Sequence, residues 1–285
     1  MKLTRYLAAG AASAALLLAG CATTPVSTAG ERTLIFSDEF NGTELDRSKW
    51  GVIGPDFWVN DEQQAYFDRP DTIAVRGGSL FLTPRFAPGV DAHKDRKADF
   101  VSGRISTQGK FDFTYGRAEA RLRMPDAVGV WPAFWLLGNG QWPHTGEIDI
   151  MENVGEKDWA ATALHGPGYS GETPFVDRFY FPPGEDATGW HVYAAEWERD
   201  RISFYIDGRL TYRATRPMIE RYGKWVYDNP EHVILNFAVG GIYPGKVNGI
   251  NAPYYGVPAS TAEQIKRGEL SMEVDWVRVW APKPE

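Results

Sequence analysis

The sequence predicts an all-β fold, a β-sandwich of jelly-roll type, and three observations predict it. Short segments rich in β-branched and aromatic residues recur along the chain. Gly, Pro, Asn and Asp punctuate them. A helical pattern is confined to one short segment, so the strands must bury their faces by packing sheet on sheet.

The amino terminus stands apart from that pattern. Lys2 and Arg5 precede the apolar run "YLAAGAASAALLLAG", too short and too rich in small residues for a membrane span, so residues 1–20 read as a signal peptide and the mature protein is expected to be exported. Its end, "LAGC" from Leu18 to Cys21, resembles the lipobox of bacterial lipoproteins. That resemblance implies cleavage before Cys21, its lipidation, and a membrane anchor of more than one acyl chain. Ala22, rather than Asp, after the cysteine points to the outer membrane. Cys21 is the only cysteine, which excludes an intrachain disulfide. Residues 22–32, "ATTPVSTAGER", suit a flexible tether, and the folded domain is expected over 33–285.

Within that domain the strand signals are "SLFLTPR", "GRAEARLRM", "EIDIME", "HVYAAEW", "RISFYIDGRLTYR", "HVILNFAVGG" and "MEVDWVRVW". In the fifth, Ile202, Phe204 and Ile206 alternate with polar positions up to Asp207-Gly208, a tight hairpin turn. In "STAEQIKRGEL", Thr261 is expected to cap a short helix with Gln264 completing the box and Gly268 stopping it. No repeat or second domain is visible. At 285 residues and 43% hydrophobic the chain can build one large core. Removing the signal takes away two cations and moves the net charge from −7 to −9. Such a surface repels nucleic acid and polyanions, so a neutral partner is expected.

"GEIDIMEN", Gly146 to Asn153, carries the chemistry. Glu147 and Asp149 share a strand face, but period-two alternation turns Glu152 away. A β-bulge at Ile150-Met151 would return Glu152 to their face. Three converging carboxylates repel one another, which lifts at least one pKa and keeps an acid protonated near neutrality. Retaining glycoside hydrolysis needs that pairing: an ionised nucleophile beside a protonated acid. A solvated acidic strand face is the bland alternative, and the apolar partner face of Ile148 and Ile150 weighs against it. Upstream, Trp131 and Trp135 fall on one strand face and offer a platform for sugar rings, and Trp142 lies in the loop entering the acidic strand.

"GEIDIMEN", preceded by "GRAEARLRMP" and "WPAFWLLG", resembles glycoside hydrolase family 16, most closely its laminarinase-like members. The likeness runs from "SDEFNG" and "NDEQQAY" through "SGRISTQGKFDFTYGRAEAR" to "VDWVRVW". It implies a concanavalin-like jelly roll with a glycan cleft and endo-hydrolysis of β-1,3-glucan by a monomer, with retention. By resemblance Glu147 is the nucleophile, Asp149 the assisting acid and Glu152 the general acid/base. No cofactor is expected for catalysis. His165 of "ALHG" is placed beside the acids, facing Asp149 or Glu152. Asn60, Arg104 and Asn236 match polar cleft positions. Glu39, the backbone oxygen of Gly78 and Asp275 match a structural Ca2+ site on the convex face. The alternative within enzymes is a family relative acting on mixed-linkage β-glucan or an agarose-like galactan; the bulged spacing demotes mixed-linkage glucan, and the acidic charge with the "WPAFW" context demotes sulfated galactans. A non-catalytic glycan-binding protein is the reading from another class. Residues 241–270, with Tyr243, Tyr254 and Tyr255, make a longer connection than such enzymes usually have; they either wall one end of the cleft or add a subsite, or form a packed surface loop.

Overall fold

The structure, a computed structural model, describes residues 32–282; the signal peptide, Cys21 and nearly all of the tether lie outside the described residues. In chain order the strands are β1 (Leu34–Asp38), β2 (Gly51–Val52), β3 (Gln64–Tyr66), β4 (Ile73–Arg76), β5 (Ser79–Leu82), β6 (Arg85–Asp91), β7 (Lys97–Ser102), β8 (Arg104–Ser106) and β9 (Gly116–Arg123). There follow β10 (Val130–Gly138), β11 (Glu147–Glu152), β12 (Trp159–His165), β13 (Val176–Tyr180), β14 (His191–Trp197), β15 (Arg201–Ile206), β16 (Arg209–Thr215), β17 (Glu231–Val239) and β18 (Met272–Trp280). Three short helices interrupt them: α1 (Arg216–Ile219), α2 (Ile242–Asn248) and α3 (Ala259–Arg267).

Two large antiparallel sheets face each other. One has the order β16-β15-β14-β9-β18-β5-β4, with β1 also paired to β18; the other runs β13-β12-β11-β10-β17-β8-β2. The sequence dictates which face each strand buries. In "GRAEARLR", Ala118, Ala120 and Leu122 enter the core while Arg117, Arg121 and Arg123 line the outer face. In β17, Val233, Leu235 and Phe237 meet them from the second sheet, which leaves Asn236 on the opposite, cleft-lining face. A third sheet, β3-β7-β6, flanks the sandwich, and there β3 runs parallel to β7.

The Asp207-Gly208 hairpin forms as expected, both residues with positive φ. The helix expected from Thr261 is present but starts three residues earlier, with Pro258 at its N-cap. Thr261 therefore lies inside it and gives its hydroxyl to the Val128 carbonyl at 2.7 Å instead of capping. Gly268, with φ of 71°, ends it. The second helix, α2, carried no recognisable signal, because Pro244 and Gly245 sit within its seven residues.

Candidate active site

The bulge lies where the parity of "EIDIME" requires it. Against β10, Phe134 faces Met151 and Trp135 faces Asp149, so Ile150 is the extra residue. Against β12, Glu147 faces His165, Asp149 faces Ala163 and Glu152 faces Ala161. Ile148, Ile150 and Met151 all point into the core, and the three acids share the cleft face. Gly146 sets the entry to this strand. Its φ is 81°, and a Cβ there would meet Glu231 Oε1 and the Tyr227 ring at 2.9 Å.

Each outer acid has its own indole donor. Trp142 gives Nε1–H to Glu147 Oε2 at 2.8 Å, and Trp131 gives Nε1–H to Glu152 Oε1 at 2.8 Å. His165 Nε2 lies 3.2 Å from Asp149 Oδ2 and 3.8 Å from Glu147 Oε1, so of the two acids expected to face it, Asp149 does. The contact with Asp149 is not aligned as a hydrogen bond: Asp149 Oδ2 and His165 Nδ1 are both buried without such a partner. Burial, with Asp149 next to it, pushes Glu147 up to about 8. Burial and then Glu152 hold Asp149 well above the ordinary range, and burial raises Glu152 against the pull of the Trp131 hydrogen bond. The cluster therefore retains protons near neutrality and can offer an anion and an acid together.

Beside the acids, Trp135 donates Nε1–H to Asn236 Oδ1 at 2.7 Å, and the Arg104 guanidinium packs over the Trp135 and Phe57 rings at 4.8 and 4.3 Å. Arg104 is buried, its Nε has no partner, and burial lowers its pKa. Asn60 sits on the exposed rim with φ of 55°, where its carbonyl accepts from Ile242 N at 2.8 Å. Sequence reasoning missed the buried Glu62, which binds Gln64 at 2.6 Å and Tyr66 at 3.2 Å and whose charge faces Arg104. Its signal was present in "NDEQQAY", two residues after Asn60. Tyr243, one of the tyrosines noted in the 241–270 connection, lies on α2 edge-on to Trp131 at 5.4 Å. Glu231, on the core face of β17, is fully buried and neither carboxyl oxygen has a partner.

The residues expected to hold Ca2+ lie away from these acids. β1 ends opposite Val277 and β5 pairs up to Val274, so Glu39 and Gly78 flank the seam at which Asp275 bulges from β18. Glu39 is held bidentately by Arg278 at 2.8 Å, and Asp275 Oδ2 accepts from Arg121 at 2.6 Å. With the Glu39 carboxylate taken by Arg278, the donors left for a hard cation are Asp275 Oδ1 and main-chain oxygens, a thinner set than the three expected ligands.

The sequence pattern of glycosyl hydrolases family 16 matches residues 70–278. The chain is 36% identical over 230 residues to the beta-glucanase of Rhodothermus marinus, covering 75% of this chain and 77% of that protein. With the glucan endo-1,3-beta-glucosidase of Niallia circulans it shares 32% identity over 272 residues, which are 87% of this chain and 37% of that longer protein. Its fold matches the laminarinase catalytic domain from Thermotoga maritima with a TM-score of 0.78 at 30% identity, covering 89% of this chain and 100% of that one. With the sandwich, the bulged acidic strand and the match over most of its length, the chain belongs to glycosyl hydrolases family 16.

Proposed function

We propose that this chain is a retaining endo-glycosidase that hydrolyses β-1,3-glucosidic bonds in laminarin-type glucans. The observation that carries this reading is the bulged strand β11, which gathers Glu147, Asp149 and Glu152 on one cleft face with a separate indole donor on each outer acid. Glu147 attacks the anomeric carbon while Glu152 gives its proton to the leaving oxygen, producing a glycosyl-enzyme ester. Glu152 then takes a proton from water, which attacks the same carbon and frees Glu147 with the sugar configuration retained. Asp149 lies between them and, with His165, biases which acid holds the proton.

The three acids titrate as one unit, so the pH limits belong to the cluster and not to single residues. Burial delays the ionisation that frees the nucleophile, so the acid limb of kcat/KM is expected above the ordinary glutamate value of about 4.3. The alkaline limb follows as the cluster loses the proton that the leaving oxygen needs. The test of function is reducing-end release by purified 22–285 on laminarin, mixed-linkage glucan, agarose and carrageenan, with Glu147→Ser as control. Activity on laminarin that vanishes in the variant supports the proposal. Activity confined to another glycan overturns the substrate assignment, and silence on all four overturns the catalytic one.

Two further parts of the proposal rest on sequence. Cys21 anchors the exported protein in the outer membrane, and Cys21→Ser should release it into the soluble fraction. The seam of Glu39, Gly78 and Asp275 takes a structural Ca2+; a thermal melt unchanged by chelator would count against it.

A further inference from the structure

The register of the acidic sheet extends the cleft floor past β12 to its edge. Ala163 stands opposite both Asp149 and Val176, and Ala161 opposite both Glu152 and Arg178. Residues directly opposite share a face, so Val176 and Arg178 project on the same side as the acids. Arg178 is two strand spacings, about 10 Å, from Glu152 at the backbone. Val176 and Tyr180 are 47% and 60% exposed, open apolar surface beside a charged cluster.

Arg178 is held there. Its guanidinium lies over the Trp159 ring at 4.2 Å, in the neighbourhood of the Tyr180 and Tyr243 phenols. Tyr243 comes from α2, which also packs through Val247 on the cluster of Val154, Trp159 and Ala161 and is tied to the β12–β13 loop by the Lys246–Glu172 ion pair. The ring of Tyr243 rests on Trp131, the residue that hydrogen-bonds Glu152. A continuous rim thus runs from Glu152 through Trp131 and Tyr243 to Arg178.

We propose that this end of the cleft is an outer sugar subsite completed by α2: a neutral glucosyl ring lies on Val176, and Arg178 and Tyr243 hydrogen-bond its hydroxyls. The assignment rests on the glucanase reading above. A fixed guanidinium with donors to spare suits vicinal hydroxyls, and charge-assisted hydrogen bonds of this kind are worth about tenfold or more in affinity. The subsite contributes only when the substrate is long enough to reach it.

The test compares the purified 22–285 protein with Arg178→Ala and Tyr243→Phe on a ladder of β-1,3-gluco-oligosaccharides, following kcat/KM against length. The second variant keeps the ring on Trp131 and removes only the hydroxyl. Wild-type kcat/KM should step up at one length, and Arg178→Ala should erase the step, losing about tenfold on longer substrates and less on the shortest. Tyr243→Phe should reduce the same step. A loss equal at every length, or no loss on the longest, overturns the subsite while leaving the glucanase reading intact. A wild type that cleaves no rung overturns both.

Discussion

Strands β11 and β18 carry the same spacing and manage their charge in opposite ways. "EIDIME" places ionisable groups at Glu147, Asp149 and Glu152; "EVDWVR" places them at Glu273, Asp275 and Arg278, and each strand bulges near its middle. On β18 the bulge turns Asp275 and Trp276 outward together, and every charge finds an opposite partner. Glu273 meets Arg123 at 2.8 Å, Asp275 meets Arg121 at 2.6 Å and Arg278 meets Glu39 at 2.8 Å. On β11 the bulge turns Ile150 and Met151 inward, and the acids face one another with indoles and an imidazole as their polar partners. A structural surface neutralises its acids; a site keeps them in conflict because shifted pKa values are what its chemistry uses. Neither the spacing nor the bulge separates the two, but the missing counter-cation does.

The sharpest way to break this comparison is to remove the first acid of each strand. Glu147→Ser should lower hydrolysis by more than about 10³-fold, whereas Glu273→Gln should leave kcat/KM unchanged. Comparable losses from both would mean that β11 has no special role. Glu152→Gln should cost about 10²- to 10⁴-fold on glucan and much less on a glycoside with an activated leaving group, which needs no proton. Equal losses on the two substrates would reassign the acid.

A smaller effect is expected at Glu231, the buried acid behind β11, whose pKa is raised well above the ordinary range by burial and then by Glu147 and Asp149. Its folded-state pKa exceeds the unfolded value, so its contribution to stability is fully present below about pH 4.3 and is lost as pH rises toward the folded pKa. Glu231→Gln should leave the melting temperature unchanged in acid and raise stability by about 1–3 kcal/mol at mildly alkaline pH. A gain independent of pH would show that packing, not charge, is what changed. The smallest effect should come from the convex face. Arg278→Gln breaks a partly exposed pair and should cost at most about 1 kcal/mol, less in high salt.

Much of this was legible without coordinates. Period-two alternation in "GRAEARLR" and "HVILNFAVGG" assigned core and outer faces, because a strand offers only two. The parity of Glu147, Asp149 and Glu152 located the bulge, because only one added residue between them restores a common face. The Asp207-Gly208 turn was fixed by its own backbone preference. Helix α2 was not legible, since proline and glycine in a seven-residue helix oppose local propensity and its packing on Trp159 and Val154 holds it in place.

By itself, then, the sequence determined what depends on neighbours along the chain: strand faces, turns, the bulge, and the acids that must converge. Tertiary structure alone decided which partners those groups meet across strands. Glu231 opposes Gly138 and lies under Gly146, Arg178 stands two strands from Glu152, and Glu39 reaches Arg278 across 239 positions of sequence. Pairing between strands distant in sequence is set by the burial of whole sheet faces, and no local pattern encodes which charge will lie opposite which.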